Sequence, residues 1–322
     1  MTSGRREDLT ERAFMGFIDQ KHSGHRQYFG HRRAVFVIVF ALACHAPSGM
    51  QVVRAQARET VRDVVYATVD GRDLALDLHW PQGASEPALL VWVHGGRWSS
   101  GTKTQVPPVF VQNGFAVASL DFRQSTDARF PAQVHDIKAA IRFLRANAAR
   151  FGYRSNRIAI GGYSSGGHLA ALVGVTGGHR ELEGNVGAHS SESSAVQAII
   201  SYAGASNLAT ILAQSTPSGL EVRTPSVEQL LGALPDQAAE LARLASPVSH
   251  VDASDPPIFL VHGDQDVQMP INQAHELEGA YEKHGLVAHL EVVHGGGHFG
   301  DHFYVPEHLE PALRFLHSAV GR

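Results

Sequence analysis

A short glycine and serine segment holds the most reactive arrangement in the sequence. Gly162-Tyr163-Ser164-Ser165-Gly166 reads G-x-S-x-G and lies between an apolar run that predicts a strand and a run that predicts a buried helix. A tight strand-to-helix turn of this kind exposes the hydroxyl of its central serine, and the flanking glycines remove the Cβ atoms that would collide. Ser164 occupies the centre, and we interpret it as a candidate nucleophile.

A serine hydroxyl needs a base to remove its proton and a carboxylate to orient that base. Candidates for both follow the serine, in the order acid and then histidine, at the ends of predicted strands. Asp264 and Asp266 compete as the acid. His298 is the best candidate for the base, because the three glycines before it free the backbone to turn the ring inward. His294, which fits a strand end better, and His302 are the competing histidines.

Acyl transfer by a serine also needs backbone N–H groups that stabilise an oxyanion. Ser165, the residue after the nucleophile, offers one such group. The loop at residues 94–98, with the sequence HGGRW, follows an earlier predicted strand and offers others. The pattern therefore predicts all the parts that serine-dependent acyl transfer requires.

Alternating strand and helix patterns position these residues. From Val61 onward, an opening hairpin is followed by runs that are apolar on both faces, which predict buried parallel strands. The runs are ALLVWVHGG, FAVASLDF, RIAIGGYS, VQAIISYAG, PIFLVHG and AHLEVVHG. After Pro131, apolar residues recur at helical spacing up to Ala148, and this spacing predicts an amphipathic helix that lies on the sheet. We expect one α/β domain whose mostly parallel central sheet has an antiparallel N-terminal edge and helices on both faces.

The N-terminal part of the chain reads as a leader. Its apolar run, Ala34 to Ala43, follows a basic HRR flank, is too short to span a bilayer and is typical of a signal-peptide core. Ala55 and Ala57 have the small-x-small spacing of a cleavage site, and a competing site precedes Cys44. We therefore predict cleavage near Ala57 and a periplasmic or secreted protein. An uncleaved membrane anchor is the alternative.

Composition limits the classes of partner. The chain has 322 residues, 43% of them hydrophobic, and a formal net charge of −4. The part after the leader is more acidic still, which argues against nucleic acid and anionic membranes as partners. The single cysteine lies in the leader, so no disulfide is expected. We divide the chain into a leader with a signal peptide over residues 1–57 and a catalytic domain over residues 58–322, with no stable membrane insertion after cleavage.

Four segments in order resemble the α/β-hydrolase esterases of the bifunctional feruloyl and acetyl-xylan esterase type. They begin VHGGRWSSGTK, LDFRQSTDARFP, SPVSHVDASDPP and GGGHF, and the resemblance runs from about Val61 to the end of the chain. It implies the α/β-hydrolase fold, with Ser164 as nucleophile, Asp266 as acid and His298 as base. The oxyanion donors that it implies are the backbone N–H groups of Gly96, Arg97 and Ser165.

The sequence departs from the pattern of these relatives at three positions. Arg97 stands where they usually have a third glycine, Ser165 where they usually have alanine, and Asn207 where they usually have aspartate. The HGGRW loop also resembles the HGGxW loop of arylformamidases such as kynurenine formamidase, which makes amide hydrolysis the alternative activity. A prolyl oligopeptidase-like peptidase is less favoured, since such enzymes carry a large propeller domain ahead of the hydrolase.

The predicted activity is that of a serine carboxylesterase acting on short acyl groups through an acyl-enzyme. Its substrate would be a small-molecule or carbohydrate ester, including acetylated or feruloylated sugars. No cofactor and no metal are expected, because the histidines of HGGGH lie in a glycine loop and not on a helix with H-E-x-x-H. The loops at residues 125–130 and 179–194 would shape the pocket and carry no readable motif.

Overall fold

The computed structural model describes residues 60–321 of the chain. The predicted signal peptide and the cleavage site near Ala57 lie outside the described residues and stay predictions. Among residues 60–321, no helix is long and apolar enough to cross a membrane.

Eight strands form a single sheet in the order β1-β2-β4-β3-β5-β6-β7-β8. β1 pairs with β2, and β2 with β4, in antiparallel fashion, and every other neighbouring pair is parallel. The strands are β1 Val61–Val69, β2 Arg72–His79, β3 Leu89–Val93, β4 Ala116–Leu120, β5 Ile158–Tyr163, β6 Ala198–Tyr202, β7 Ile258–Gly263 and β8 Ala288–Val293. The predicted hairpin, antiparallel edge and parallel sheet are confirmed.

Ten α-helices and two short 3₁₀ helices lie between and after the strands in the described part of the chain. The helices are α1 Pro108–Gln112, α2 Ala132–Ala146, α3 Ala148–Phe151, α4 Ser165–Gly174, α5 Arg180–Glu183, α6 Ile211–Gln214, α7 Pro217–Leu231, α8 Ala239–Leu244, α9 Asn272–Lys283 and α10 Pro306–Val320. The 3₁₀ helices are Pro247–Ser249 and Asp301–Tyr304.

Alternate side chains of the central strands enter two separate cores. In β3, Leu89 and Val91 belong to one cluster, together with side chains of α2 and α4. Leu90 and Trp92 belong to the other cluster, together with side chains of α1 and α10. Because successive side chains of a strand point to opposite faces, the two clusters lie on the two faces of the sheet. Helices therefore cover both faces, as predicted.

Two elements differ in detail from the sequence-based expectation. β8 is parallel, but Val293 is its only buried residue, because β8 is the last strand of the sheet and has a neighbour on one side only. The helix behind Pro131 ends at Ala146, and Asn147, with ψ near 10°, separates it from α3, which begins at Ala148. The apolar spacing continues across this break, so periodicity alone did not reveal it.

Candidate active site

The turn after β5 places Ser164 at the carboxyl end of this central strand. Ser164 has φ 56° and ψ −122°, and α4 begins at the next residue. A Cβ on Gly162 would lie 2.4 Å from the Gly166 carbonyl, and a Cβ on Gly166 would lie 2.1 Å from the carbonyl oxygen of Val93. The strand, the helix and β3 thus approach too closely for any side chain at either glycine. This close packing explains the glycines of G-x-S-x-G and the positive φ of the serine between them.

Ser164, His298 and Asp266 form a continuous chain of hydrogen bonds. The Oγ of Ser164 lies 2.9 Å from Nε2 of His298, and Nδ1 of His298 lies 2.6 Å from Oδ2 of Asp266. The three residues follow the carboxyl ends of β5, β8 and β7, which are at the same edge of the sheet. All three are buried, with at most 7% of their surface exposed. The structure therefore brings together the three residues that the resemblance singles out.

Asp266 is held as a carboxylate. Its Oδ1 accepts hydrogen bonds from the backbone N–H groups of Gln268 at 2.9 Å and Met269 at 2.8 Å. Burial alone would raise the pKa of Asp266, but hydrogen bonds from His262, His298 and the Met269 amide outweigh it and hold that pKa well below its usual value. An ionised carboxylate only accepts hydrogen bonds, so Nδ1 of His298 must carry the proton that it donates.

His298 is consequently a neutral base facing the serine. With its proton on Nδ1, its Nε2 presents a lone pair to the Ser164 hydroxyl. Burial lowers the pKa of His298, and the charges of Arg223 and His262 lower it further, while Asp266 acts in the opposite direction. The hydroxyl of Tyr163 donates to the backbone carbonyl of His298 and holds this part of the loop against β5.

The competing candidates lie in contacts between loops. Asp264 accepts a hydrogen bond from Nδ1 of His294 at 2.9 Å and another from the N–H of Gly295 at 2.8 Å. The side chain of His294 is 86% exposed. Nε2 of His302 lies 3.3 Å from the carbonyl of Gly297. These bonds join or stiffen the loops after β7 and β8, and the Ser164 hydroxyl bonds to His298 instead.

The HGGRW loop after β3 lies against the nucleophile turn. A Cβ on Gly95 would be 3.4 Å from the Cβ of Ser164. The Gly96 carbonyl accepts from the N–H groups of Ser99 at 3.0 Å and Ser100 at 2.9 Å, which folds the loop back on itself. Arg97 has φ 58°, in the left-handed region that favours glycine. This conformation gives a physical reason for the glycine that relatives usually have at that position.

The N–H of Ser165 is the first of α4, and the first N–H groups of a helix have no partner within it. They carry the partial positive charge of the helix N-terminus. Gly96 and Arg97 lie on the loop that packs beside this turn. The three predicted oxyanion donors are therefore on two adjoining backbone segments next to Ser164, and their role stays a prediction.

Trp98 anchors the same loop from inside. Its Nε1 donates to Nδ1 of His168 at 3.0 Å, and Nε2 of His168 lies 2.7 Å from the carbonyl of Ala245. Because Nδ1 accepts, Nε2 must carry the proton and donate to Ala245. Burial lowers the pKa of His168 to about 4, which keeps this ring neutral. The chain of bonds fixes the HGGRW loop to α4 and to the segment after α8.

The segment between β6 and β7 also borders the site. The amide of Asn207, which stands where relatives usually have aspartate, donates to Glu276 at 2.6 Å and ties the loop after β6 to α9.

A surface cavity of about 330 Å³ is lined by residues 125–129 together with Gln229 of α7. The second of the two loops expected to shape the pocket lines another surface cavity at residues 187–189. Neither of these two cavities is lined by Ser164, Asp266 or His298, so the role of both loops in the substrate pocket stays a prediction. Among residues 60–321, no group of three or more His, Cys, Asp or Glu side chains is placed to hold a metal ion.

Sequence reasoning missed one charged residue at this site. Arg223 of α7 is fully buried, and its Nε donates to the carbonyl of Gln268 at 3.1 Å, two residues after Asp266. Val227 and Leu230, four and seven residues further along α7, are buried as well. An arginine in register with the apolar face of a helix was the available signal.

Comparison with known proteins gives one family. The model of the BD-FAE family matches residues 76–281. Esterase LipC of Mycobacterium tuberculosis is 31% identical over 195 residues, which cover 59% of this chain and 47% of that protein. Esterase LipQ of the same organism is 30% identical over 233 residues, which cover 69% of this chain and 53% of that protein. The chain thus spans about half the length of these curated relatives.

Solved structures share the fold over most of the chain. A truncated form of a carbohydrate esterase from gut microbiota is 28% identical with a TM-score of 0.75, covering 83% of this chain and 99% of that one. The thermophilic esterase Est2 of Thermogutta terrifontis is 27% identical with a TM-score of 0.66, covering 83% and 94%. These neighbours are α/β-hydrolase esterases, and the predicted fold class is confirmed.

Proposed function

The chain belongs to the BD-FAE family, and from that membership and the geometry of its site we propose that it is a serine carboxylic ester hydrolase. Ser164 is the nucleophile, His298 the base and Asp266 the orienting acid. The observation that carries this assignment is the pair of bonds from Ser164 to His298, 2.9 Å, and from His298 to Asp266, 2.6 Å. The esterases among its relatives and structural neighbours support the same reaction type.

Acylation begins with removal of the serine proton. As Oγ of Ser164 attacks the ester carbonyl, its proton moves to Nε2 of His298. The carboxylate of Asp266, already bonded to Nδ1, stabilises the imidazolium that forms. The proton then passes from Nε2 to the oxygen of the leaving alcohol as the ester bond breaks. The products of this half are the free alcohol and an acyl group on Ser164.

The oxyanion of each tetrahedral intermediate accepts hydrogen bonds from backbone N–H groups. The donors are the N–H of Ser165 at the start of α4 and those of Gly96 and Arg97 on the adjoining loop. The positive end of α4 adds to this stabilisation. Water then attacks the acyl group with His298 again as the base, and the carboxylic acid leaves as Ser164 regains its proton.

Two exposed apolar side chains lie next to triad residues in sequence and suit a ring-shaped part of a substrate. The side chains of Phe299 and Val267 are exposed, by 64% and 53%, directly beside His298 and Asp266 in sequence. An exposed aromatic face fits the apolar face of a sugar ring or an aromatic acyl group. The carbohydrate esterase among the structural neighbours supports acetylated or feruloylated sugars as the substrate class.

Short acyl esters are expected to be hydrolysed faster than long ones. The segment between β6 and β7 is the part of the chain available for a lid, and α7 is bound to the acid loop by the bond from Thr216 Oγ1 to the Val267 carbonyl. We expect kcat/KM for p-nitrophenyl acetate to exceed that for the dodecanoate by about tenfold or more, because a long acyl chain that the site cannot accommodate displaces packed side chains or misorients the ester.

The same assay extends to acetylated sugars, feruloylated sugars and N-formylkynurenine. Turnover of the dodecanoate at least equal to that of the acetate would contradict the preference for short acyl groups. N-formylkynurenine as the best substrate would instead assign the HGGRW loop to formamide hydrolysis.

The pH profile should report the buried histidine. Protonated His298 cannot accept the proton of Ser164, so kcat/KM falls as pH falls through the pKa of His298. Burial places that pKa below the ordinary value of 6.5, so activity persists below pH 6.5 and is lost further into the acid range. We expect a single acid-side midpoint below pH 6.5 with a neutral ester substrate. Tryptophan fluorescence across the same range controls for unfolding, and a midpoint above pH 7 with the fold intact would contradict the assignment.

A further inference from the structure

Arg223 is a buried cation packed onto the loop that holds Asp266. The N-terminal part of its helix, α7, lies on that loop: Thr216 Oγ1 donates to the Val267 carbonyl at 3.1 Å, and a Cβ on Gly219 would lie 2.5 Å from the same oxygen. Arg223 itself donates from Nε to the Gln268 carbonyl at 3.1 Å. The close packing fixes the position of the guanidinium beside the triad.

The outer half of this guanidinium has no hydrogen-bond partner among the described residues. Nη1 and Nη2 of Arg223 are both buried and make no hydrogen bond among the described residues. Asp266 favours this charge electrostatically but makes no hydrogen bond to it, and its own bonds run from Oδ2 to His298 and from Oδ1 to the amides of Gln268 and Met269. Burial lowers the pKa of Arg223 to about 10, so the group is still charged at neutral pH. A buried, charged and unpaired fork of N–H donors is costly to a fold unless it has a ligand.

A second cation lies close to the first. The guanidinium carbon of Arg223 is 5.9 Å from the centre of the Trp98 ring, and Trp98 follows Arg97 in the HGGRW loop. The positive charge of Arg97 is near enough to contribute to lowering the pKa of Arg223. Arg97 is exposed, whereas Arg223 is buried. Two positive charges therefore lie around the triad, and the one carboxylate there, Asp266, acts on Arg223 through its charge and makes its own hydrogen bonds to His298 and to the amides of Gln268 and Met269.

We propose that Arg223, with Arg97 at its entrance, forms an anion subsite next to Ser164 and that the preferred esters carry a carboxylate. A guanidinium offers two parallel N–H donors that match the two oxygens of a carboxylate. The inference rests on the proposed esterase activity and narrows its short-acyl or sugar esters to those that carry a carboxylate. The carboxylate belongs either to the acyl part or to the alcohol part of the ester, and the two arrangements are separated by the choice of substrate.

Two pairs of shape-matched esters test the subsite. Monoethyl succinate and ethyl isocaproate differ by a carboxylate or an isopropyl group on the acyl side, and β-acetoxypropionate and isoamyl acetate differ in the same way on the alcohol side. We expect the wild-type protein to prefer the anionic ester of one pair by about tenfold or more in kcat/KM, the range of a charge-assisted hydrogen bond. Arg223→Met should abolish that preference, measured as the ratio of kcat/KM for the anionic ester to kcat/KM for its neutral partner, so that a general loss of activity in the variant cancels.

Arg223→Lys keeps the charge but not the fork and should retain part of the preference, which guards against misfolding of the methionine variant. Arg243→Met is the control for loss of a cation, since Arg243 is 64% exposed on α8 and pairs with Glu240. Equal rates within both pairs for the wild-type protein would overturn the anion subsite while leaving the esterase activity standing. Hydrolysis of none of the four esters would overturn the proposed function itself.

Discussion

Replacing Ser164 by alanine is expected to lower kcat for p-nitrophenyl acetate by about 10⁶-fold, the scale seen when a triad nucleophile is removed. The bond that forms in the first step is to Oγ of Ser164, and no other hydroxyl in the described residues bonds to Nε2 of His298. The residual rate should come from the oxyanion donors and substrate binding, which the substitution leaves in place. Circular dichroism of both proteins checks that the fold is unchanged.

The neighbouring serine provides a matched control. Ser165→Ala also removes one hydroxyl from the turn, but the proposed role of Ser165 uses its backbone N–H, which alanine keeps. The Ser165 Oγ is buried without a hydrogen-bond partner among the described residues, so its removal breaks no bond. We expect this variant to lose less than about tenfold in kcat. If Ser165→Ala were the more damaging of the two, Ser165 and not Ser164 would be the nucleophile.

Covalent labelling tests the same assignment without kinetics. An activated organophosphate should add its phosphoryl group to one peptide of the wild-type protein, the one containing Ser164, because the buried His298 base activates that hydroxyl. The alanine variant should remain unmodified. Labelling of another residue in both proteins would contradict the proposed nucleophile.

The central strands of the sheet could be predicted from sequence because they are buried on both faces. The β5 segment has no charged residue and is buried at five of its six positions, so it lacks the polar face of an amphipathic helix. β8 shows the limit of this rule. The sequence of β8 is almost as apolar as that of the strand beside it, β7. Most of its side chains are nevertheless at least partly exposed because β8 lies at the edge of the sheet, and this position depends on the order of the strands and not on local sequence pattern.

The candidate triad residues could be proposed from sequence because each lies in a short motif at the end of a predicted strand, and the order of these motifs is read directly along the chain. The residues alone left Asp264 and Asp266 open as the acid, and the family resemblance selected Asp266. The two are only two residues apart, and which of them faces His298 depends on how the loops after β7 and β8 pack. Arg223 could not be assigned for a similar reason. Its role follows from the docking of α7 onto the acid loop, a long-range contact that its own helix does not encode.

Replacing Asp266 by asparagine is expected to lower kcat by about 10⁴-fold, the effect of losing the acid that orients the base. The amide can offer an N–H to His298, which would favour the tautomer with its proton on Nε2 and remove the lone pair that faces Ser164. The amide also carries no charge to stabilise the imidazolium. Asp264→Asn should cost only about tenfold, because Asp264 binds His294 and the Gly295 amide and so stabilises a loop.

The two variants are a matched pair, since each removes one negative charge from the same loop and changes no side-chain volume appreciably. Their surroundings differ in one respect that decides the outcome: Asp266 is buried against a buried histidine, whereas the histidine bound to Asp264 is 86% exposed. A water molecule can replace the carboxylate of Asp264 at an exposed partner, but the ring of His298 has no such substitute. Measured with folded proteins on one short-chain ester, a larger loss for Asp264→Asn than for Asp266→Asn would transfer the role of the acid to Asp264.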